Sequence, residues 1–223
     1  MDGSVAPPPP AVAEMVFGAR FADVVRYVEL LATDGLTRGL LGPREVPRLW
    51  DRHVLNCAAL AELIGPDEVV VDVGSGAGLP GVVLALARPD LRVTLVESLA
   101  RRTAFLEECR VTLRLENVSV HRGRAPDRET VAAVGGADVV TSRAVAALDR
   151  LAAWCLPLLR PGGRMLAVKG ASAQTEVERY AGVVARSGGT RIEVRRCGVG
   201  MVEPPTTVIV VCRGGPPGRR GKR

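Results

Sequence analysis

The stretch Val69–Gly81, VVVDVGSGAGLPG, limits the possible folds more than any other part of this chain. Its valines do not alternate with polar residues. They therefore read as a strand buried on both faces, the pattern of a parallel sheet covered by helices. Gly74, Gly76 and Gly78 follow at alternate positions. Glycine permits a tight turn and lets a ligand approach where a Cβ would collide. Pro80 suits the first turn of a helix, where a missing N–H is no loss. Strand, glycine loop and helix start together make a place to hold a nucleotide-like ligand.

Gly76 to Gly81 also satisfies G-x-G-x-x-G, the dinucleotide fingerprint. Two details oppose that reading. The strand ends at Asp72, so Gly74 and not Gly76 opens the loop, and an acidic group there would repel a pyrophosphate. A cationic ligand would welcome the charge. S-adenosylmethionine, with a sulfonium and an ammonium group, suits D-x-G-x-G after a strand better. A glycine-rich turn without any ligand is the plain alternative.

The 223 residues suffice for one sizeable domain with a proper core. Aromatics make up only 3% of the chain, so packing must rest on Val, Leu and Ala. No apolar run reaches the length of a membrane span, and the Pro-rich start is not a signal peptide, which together point to the cytoplasm. The five cysteines are widely spaced and form no C-x-x-C, as expected of buried reduced thiols. With His53 and His121 as the only histidines, a His-based metal site is not expected. The net charge of +6 fits a nucleic-acid partner. A bias toward arginine codons accounts for the preference of Arg over Lys equally well, so the inference rests on the sign of the charge.

Residues 1–13 are Pro- and Ala-rich and read as disordered. From Glu14 the pattern is helical, with Phe17, Phe21, Val24, Val28 and Leu31 on one face, until Asp34-Gly35 stops it. Pro47 opens a second helix through Ile64, with Trp50, Val54, Cys57, Ala61 and Ile64 inside. Residues 14–64 are thus a helical extension before an α/β core over residues 65–212. Strands are expected near residues 69–73, 92–96, 118–122, 138–142 and 164–169, with helices between them and Pro161-Gly162-Gly163 as a turn. Two late strands, 190–199 and 207–212, flank Pro204-Pro205. Residues 213–223 read as a mobile basic tail, and no second domain is visible. Strands alternating with helices imply a doubly wound, mostly parallel sheet, which binds ligands at the carboxyl ends of its strands. The candidates there are Asp72 with the glycine loop, Glu97, Arg124 to Pro126, Ser142-Arg143 and Lys169-Gly170. Glu97 lies about 20 residues past the loop, where such folds place a carboxylate that accepts from ribose hydroxyls.

Taken in order, Leu49-Trp50-Asp51-Arg52-His53, VVDVGSGAGLPG, Glu97-Ser98-Leu99 with Arg101-Arg102, Gly123-Arg124-Ala125, Thr141-Ser142-Arg143-Ala144 and Val168-Lys169-Gly170 resemble one family. It is the bacterial 16S rRNA guanine-N7 methyltransferase family, also called glucose-inhibited division protein B. The resemblance covers about residues 15 to 212. It implies a seven-stranded class I S-adenosylmethionine-dependent fold and methyl transfer to N7 of one guanosine. The substrate would be 16S rRNA, within the small ribosomal subunit or an assembly precursor, and the enzyme would act as a monomer away from membranes. By position, Gly74, Ser75, Gly76 and Leu79 would hold the methionine end of the cofactor. Glu97 would take the ribose, Ala125 and Pro126 would flank the adenine, and Arg143 would close the pocket. Pro126 departs from the family, which often carries an acidic residue there. A main-chain contact at residue 125 survives that change and a side-chain contact at 126 does not.

Guanine N7 carries an in-plane lone pair and no proton, so no general base is needed and the task is positioning. Arg143 is expected to hold the cofactor carboxylate, a target phosphate or guanine O6. Arg52 or His53 would touch rRNA phosphate, oriented by Asp51; a simple helix-end salt bridge is the other reading of that trio. Arg101, Arg102, Arg124 and Lys169 are the remaining candidates for phosphate contact. Arg213, Arg219, Arg220, Lys222 and Arg223 would add salt-dependent affinity or merely solvate the tail. Three other functions compete. A nicotinamide-dependent oxidoreductase lacks a convincing catalytic His or Tyr set. A non-enzymatic RNA-binding module would not need the intact Asp72, glycine loop and Glu97. A small-molecule methyltransferase fits the basic charge and scarce aromatics less well.

Overall fold

The computed structural model describes residues 5–215. Two helices come first, α1 (Ala11–Phe17) and α2 (Phe21–Leu30), joined by a 3-10 turn at Gly18–Arg20 and extended by a π-helical turn at Leu31–Gly35. The apolar stripe predicts one continuous helix, but Gly18 takes φ +48° and divides it. Disorder is predicted through residue 13, yet Ala13 is fully buried and the Trp50 indole donates to the Pro7 carbonyl at 2.9 Å. An aromatic anchor thus ties down a segment whose composition is unfavourable for order. A second helical stretch begins at Pro43 rather than Pro47. It consists of a 3-10 turn (Pro43–Arg48), a π-helical segment (Leu49–Leu55), a single turn α3 (Asn56–Ala58) and a 3-10 turn (Ala59–Leu63).

The α/β alternation then runs β1 (Val69–Val73), α4 (Gly81–Ala87), β2 (Arg92–Glu97), α5 (Ala100–Thr112), β3 (Val118–Arg122), α6 (Arg128–Val134) and β4 (Ala137–Arg143). It continues with α7 (Leu148–Cys155), β5 (Leu159–Lys169), α8 (Ala173–Arg186), β6 (Gly189–Cys197) and β7 (Thr206–Arg213). The seven strands form one sheet in the order β3-β2-β1-β4-β5-β7-β6. All neighbours are parallel except β7, which runs antiparallel to both β5 and β6. Pro161-Gly162-Gly163 is not a turn ahead of β5 but a bulge inside it. Leu159 pairs with Ala137 and Arg164 with Val139, so the residues between loop out of register and Gly162 takes φ +78°. Arg213, predicted as part of the tail, closes β7 and donates to the Pro157 and Leu159 carbonyls. Arg219, Arg220, Lys222 and Arg223 lie outside the described residues.

Each central strand sends alternate residues to opposite faces, as the period of two requires. Val70, Val139, Leu166 and Val208 pack beneath the N-terminal helices, α4 and α5. Val71, Val140, Met165 and Ile209 pack on α7 and α8. The N-terminal layer is therefore one of the two covers of the sheet. The order reverses between β1 and β4, and that switch point opens at the carboxyl ends of the strands. Among the described residues, no helix is long and apolar enough to cross a membrane. All five cysteines are free thiols and four are buried.

Candidate functional site

The loop after β1 is held largely by its own backbone. The Gly74 and Ser75 amides both donate to the Val96 carbonyl, and Gly78 and Leu79 donate to that of Ser75. Gly74 sits at φ +72°, and a Cβ built there would lie 2.7 Å from Val145 Cγ2. Gly78, at φ +97°, leaves room for Tyr27, whose hydroxyl donates to the Ala77 carbonyl. Helix α2 thereby supports the loop from behind.

Asp72 does not face the cleft. It is fully buried, and its carboxylate accepts from the Gly81 amide and the Thr141 hydroxyl, each at 3.1 Å. Burial pushes its carboxyl up to about 6 against those hydrogen bonds. Its task is to tie the start of α4 to β1 and β4, not to meet a cationic ligand directly. Among the described residues no group of three His, Cys, Asp or Glu is placed to hold a metal.

Two adjoining cavities open above the strand ends. One, of about 350 Å³, is lined by Gly74, Glu97, Ser98, Ala125, Pro126 and Trp154, among others. The second, of about 410 Å³, is lined by Ser75, Gly76, Leu79, Arg102 and Arg143, with Leu40 and Leu41 from the loop after α2. Gly74, Glu97, Ser98 and Val145 belong to both. The residues expected around adenine thus lie in one cavity, those expected around the methionine end in the other, and Glu97 stands between them. The Glu97 carboxylate accepts from the Ser98, Leu99 and Gly76 amides at 2.8, 3.0 and 3.1 Å. The Arg102 guanidinium reaches it only at 3.5 Å.

The expected trio Asp51, Arg52 and His53 is not a unit. Asp51 and Arg52 line a separate groove with Arg48, Asn56 and Lys169, whereas His53 lines the second cavity. The carboxylate beside both Arg52 and His53 is Glu45, at 3.4 and 2.7 Å. His53 is buried and so does not reach out to RNA. Burial, and then the Arg143 charge, lower its pKa to about 4.

Arg143 lines the second cavity with its terminal donors engaged on the helical layer. Its terminal nitrogens donate to the Arg52 and His53 carbonyls, to Cys57 Sγ and to His53 Nδ1, the last at 2.7 Å. These bonds engage four of the five N–H donors of a guanidinium. Arg143 remains a wall of the cavity, but chiefly it clasps the N-terminal layer to β4. Lys169, expected at RNA, donates instead to the Ala146 carbonyl and Glu176, both at 2.8 Å. Arg102 lines the second cavity and Arg124, though exposed, the first; Arg52 and Arg101 are exposed.

Trp154 and Glu45 are missing from the sequence expectations. Leu148, Leu151, Ala152 and Cys155 form the buried stripe of α7, which leaves Trp154 half-buried at its flank, beside the cleft. That offset was the available signal. Glu45 lies between the two expected helices, and no local pattern ties it to His53.

A family model described as GidB, rRNA small subunit methyltransferase G, matches residues 20–201. A Salinispora tropica protein named ribosomal RNA small subunit methyltransferase G is 60% identical over 224 aligned positions, covering 96% of this chain and 91% of the relative. A Mycolicibacterium gilvum protein of the same name is 56% identical, with 92% and 89% covered. Among solved structures, M. jannaschii TYW2 in complex with AdoMet superposes with a TM-score of 0.54 at 20% identity, covering 74% of this chain and 77% of that one. An O-methyltransferase family protein from Burkholderia thailandensis gives 0.57 at 15% identity, with 90% and 64% covered. At such identities the structures bear on the fold alone.

Proposed function

We propose, from the premise that this chain belongs to the GidB family, rRNA small subunit methyltransferase G, that it transfers a methyl group from S-adenosylmethionine to N7 of one guanosine in 16S rRNA. The chain is an S-adenosylmethionine-dependent methyltransferase. The observation that carries the reading is the family match over residues 20–201, which spans every wall of the double cavity.

The residues present fit the cofactor. Gly74 has no side chain to crowd Val145, with which it lines both cavities, and Glu97 stands where the two join. In this reading Gly74, Ser75, Gly76 and Leu79 hold the methionine end. Glu97 takes the ribose, and Ala125, Pro126 and Trp154 enclose the adenine. When bound, the cofactor supplies an electrophilic methyl on a sulfonium. Guanine N7 has no proton to lose, so the side chains need to orient the base and exclude water rather than remove a proton. Neutral His53 adds no charge at the cavity wall, and the Arg143 cation is held by the helical layer behind it. Arg52, Arg101 and Arg124 are exposed and suited to rRNA phosphates. In this reading the enzyme acts as a monomer on the small subunit or its precursor.

The test is transfer of labelled methyl to small subunits from cells lacking this protein, with deproteinised 16S rRNA alongside. N7-methylguanosine is then mapped by chain cleavage at the modified base. Label at one guanosine is the expected result. No label on either RNA, with cofactor binding measured, would overturn the substrate.

A further inference from the structure

Glu45, His53 and Arg143 form a chain of hydrogen bonds that ends at the cavity wall. Glu45 Oε2 lies 2.7 Å from His53 Nε2, and Arg143 Nη2 lies 2.7 Å from His53 Nδ1. A guanidinium only donates, so Nδ1 must be the acceptor. The ring is therefore neutral and carries its hydrogen on Nε2, which donates to Glu45. Without that acceptor, the Arg143 bond alone would favour this tautomer over the one with its hydrogen on Nδ1. With the hydrogen on Nδ1, two donors would face each other and the Arg143 bond would break.

We propose that Glu45 is a positioning residue for methyl transfer: it fixes the tautomer of His53 and thereby holds the Arg143 guanidinium at the wall of the methionine-end cavity. The proposal rests on the reading of that cavity given above. The same array joins three elements, the Pro43–Arg48 turn, the Leu49–Leu55 segment and β4. Arg143 lines only the second cavity, and the adenine end has its own walls. Disturbing the array therefore displaces the place where methyl and base meet, while most cofactor contacts persist. Misplacement on the order of 1 Å can cost about a hundredfold in rate.

The test compares the full chain with Glu45→Ala and Glu45→Gln. Nitrogen-15 NMR of the imidazoles reads the tautomer; with only two histidines in the chain, a His121→Gln variant completes the assignment. Methyl transfer kinetics are measured on the same samples. In Glu45→Ala we expect mixed tautomers, kcat lower by about tenfold or more, and cofactor KM within about threefold. In Glu45→Gln the amide oxygen can accept the same N–H, so the tautomer persists and kcat stays within about threefold. The proposal is overturned if Glu45→Ala keeps only the Nε2–H tautomer, if both variants lose kcat alike, or if cofactor KM carries the loss. Absence of transfer by the unaltered chain would instead sink the functional reading, and the tautomer comparison would still decide whether Glu45 orders His53.

Discussion

Tyr27 and Ala77, fifty residues apart, are joined by a 2.8 Å hydrogen bond from the phenol to the loop carbonyl. Burial pushes the phenol well above its usual range, so it stays a donor at any working pH. Removing it as Tyr27→Phe strands a buried carbonyl, at about 1–3 kcal/mol. A lower Tm and weaker S-adenosylmethionine binding by titration are expected together. A lower Tm with unchanged affinity would mean that α2 stabilises the fold without shaping the loop.

Gly74→Ala tests the cradle directly. The left-handed backbone there costs a non-glycine residue about 1–2 kcal/mol, and the new methyl would press on Val145. Cofactor affinity should fall about tenfold by calorimetry. Unchanged affinity would place the cofactor elsewhere.

Two buried groups titrate in the same window with opposite signs. The Asp72 carboxyl is raised to about 6 by burial, so its contribution to stability is full below about pH 4 and is lost as pH rises through 6. His53 is lowered to about 4, so its contribution is full above about pH 6.5 and is lost as pH falls through 4. Each shift corresponds to roughly 3 kcal/mol and the two nearly cancel. Chemical denaturation from about pH 4 to 7 should show an acid loss in Asp72→Asn that the unaltered chain lacks, and a gain of stability toward acid in His53→Gln. Parallel curves for all three proteins would refute the linkage.

The arginines differ in what they are free to do. Arg101→Ala and Arg124→Ala should each weaken rRNA binding and reduce its salt slope by about 1. Lys169→Met should leave that slope unchanged and lower Tm, because it breaks a largely buried pair with Glu176. A reduced slope in the Lys169 variant would mean that this pair opens on RNA.

The parts readable in advance were those encoded by local pattern. The valine run, the alternate glycines and Glu97 after the next strand located β1, its loop and the end of β2. Contacts between distant segments were not readable. Nothing near Arg143 announces that its donors turn toward residues 52–57, and nothing near Lys169 announces Glu176. The Pro161-Gly162-Gly163 bulge looked like a turn because the same residues serve both, and only pairing with β4 tells them apart. Gly18 split a helix whose apolar stripe passes through the break unaltered.

The placement of β7 between β5 and β6 sets an order of assembly. β6 comes earlier in the chain, yet among the described residues its only strand partner is β7. Until β7 arrives, the far side of β5 is an open edge, ready to pair with any stray strand. β6 can therefore join the sheet only with β7 or after it. A chain cut before Thr206 would lose two strands of the sheet, and its exposed β5 would favour association over monomeric folding.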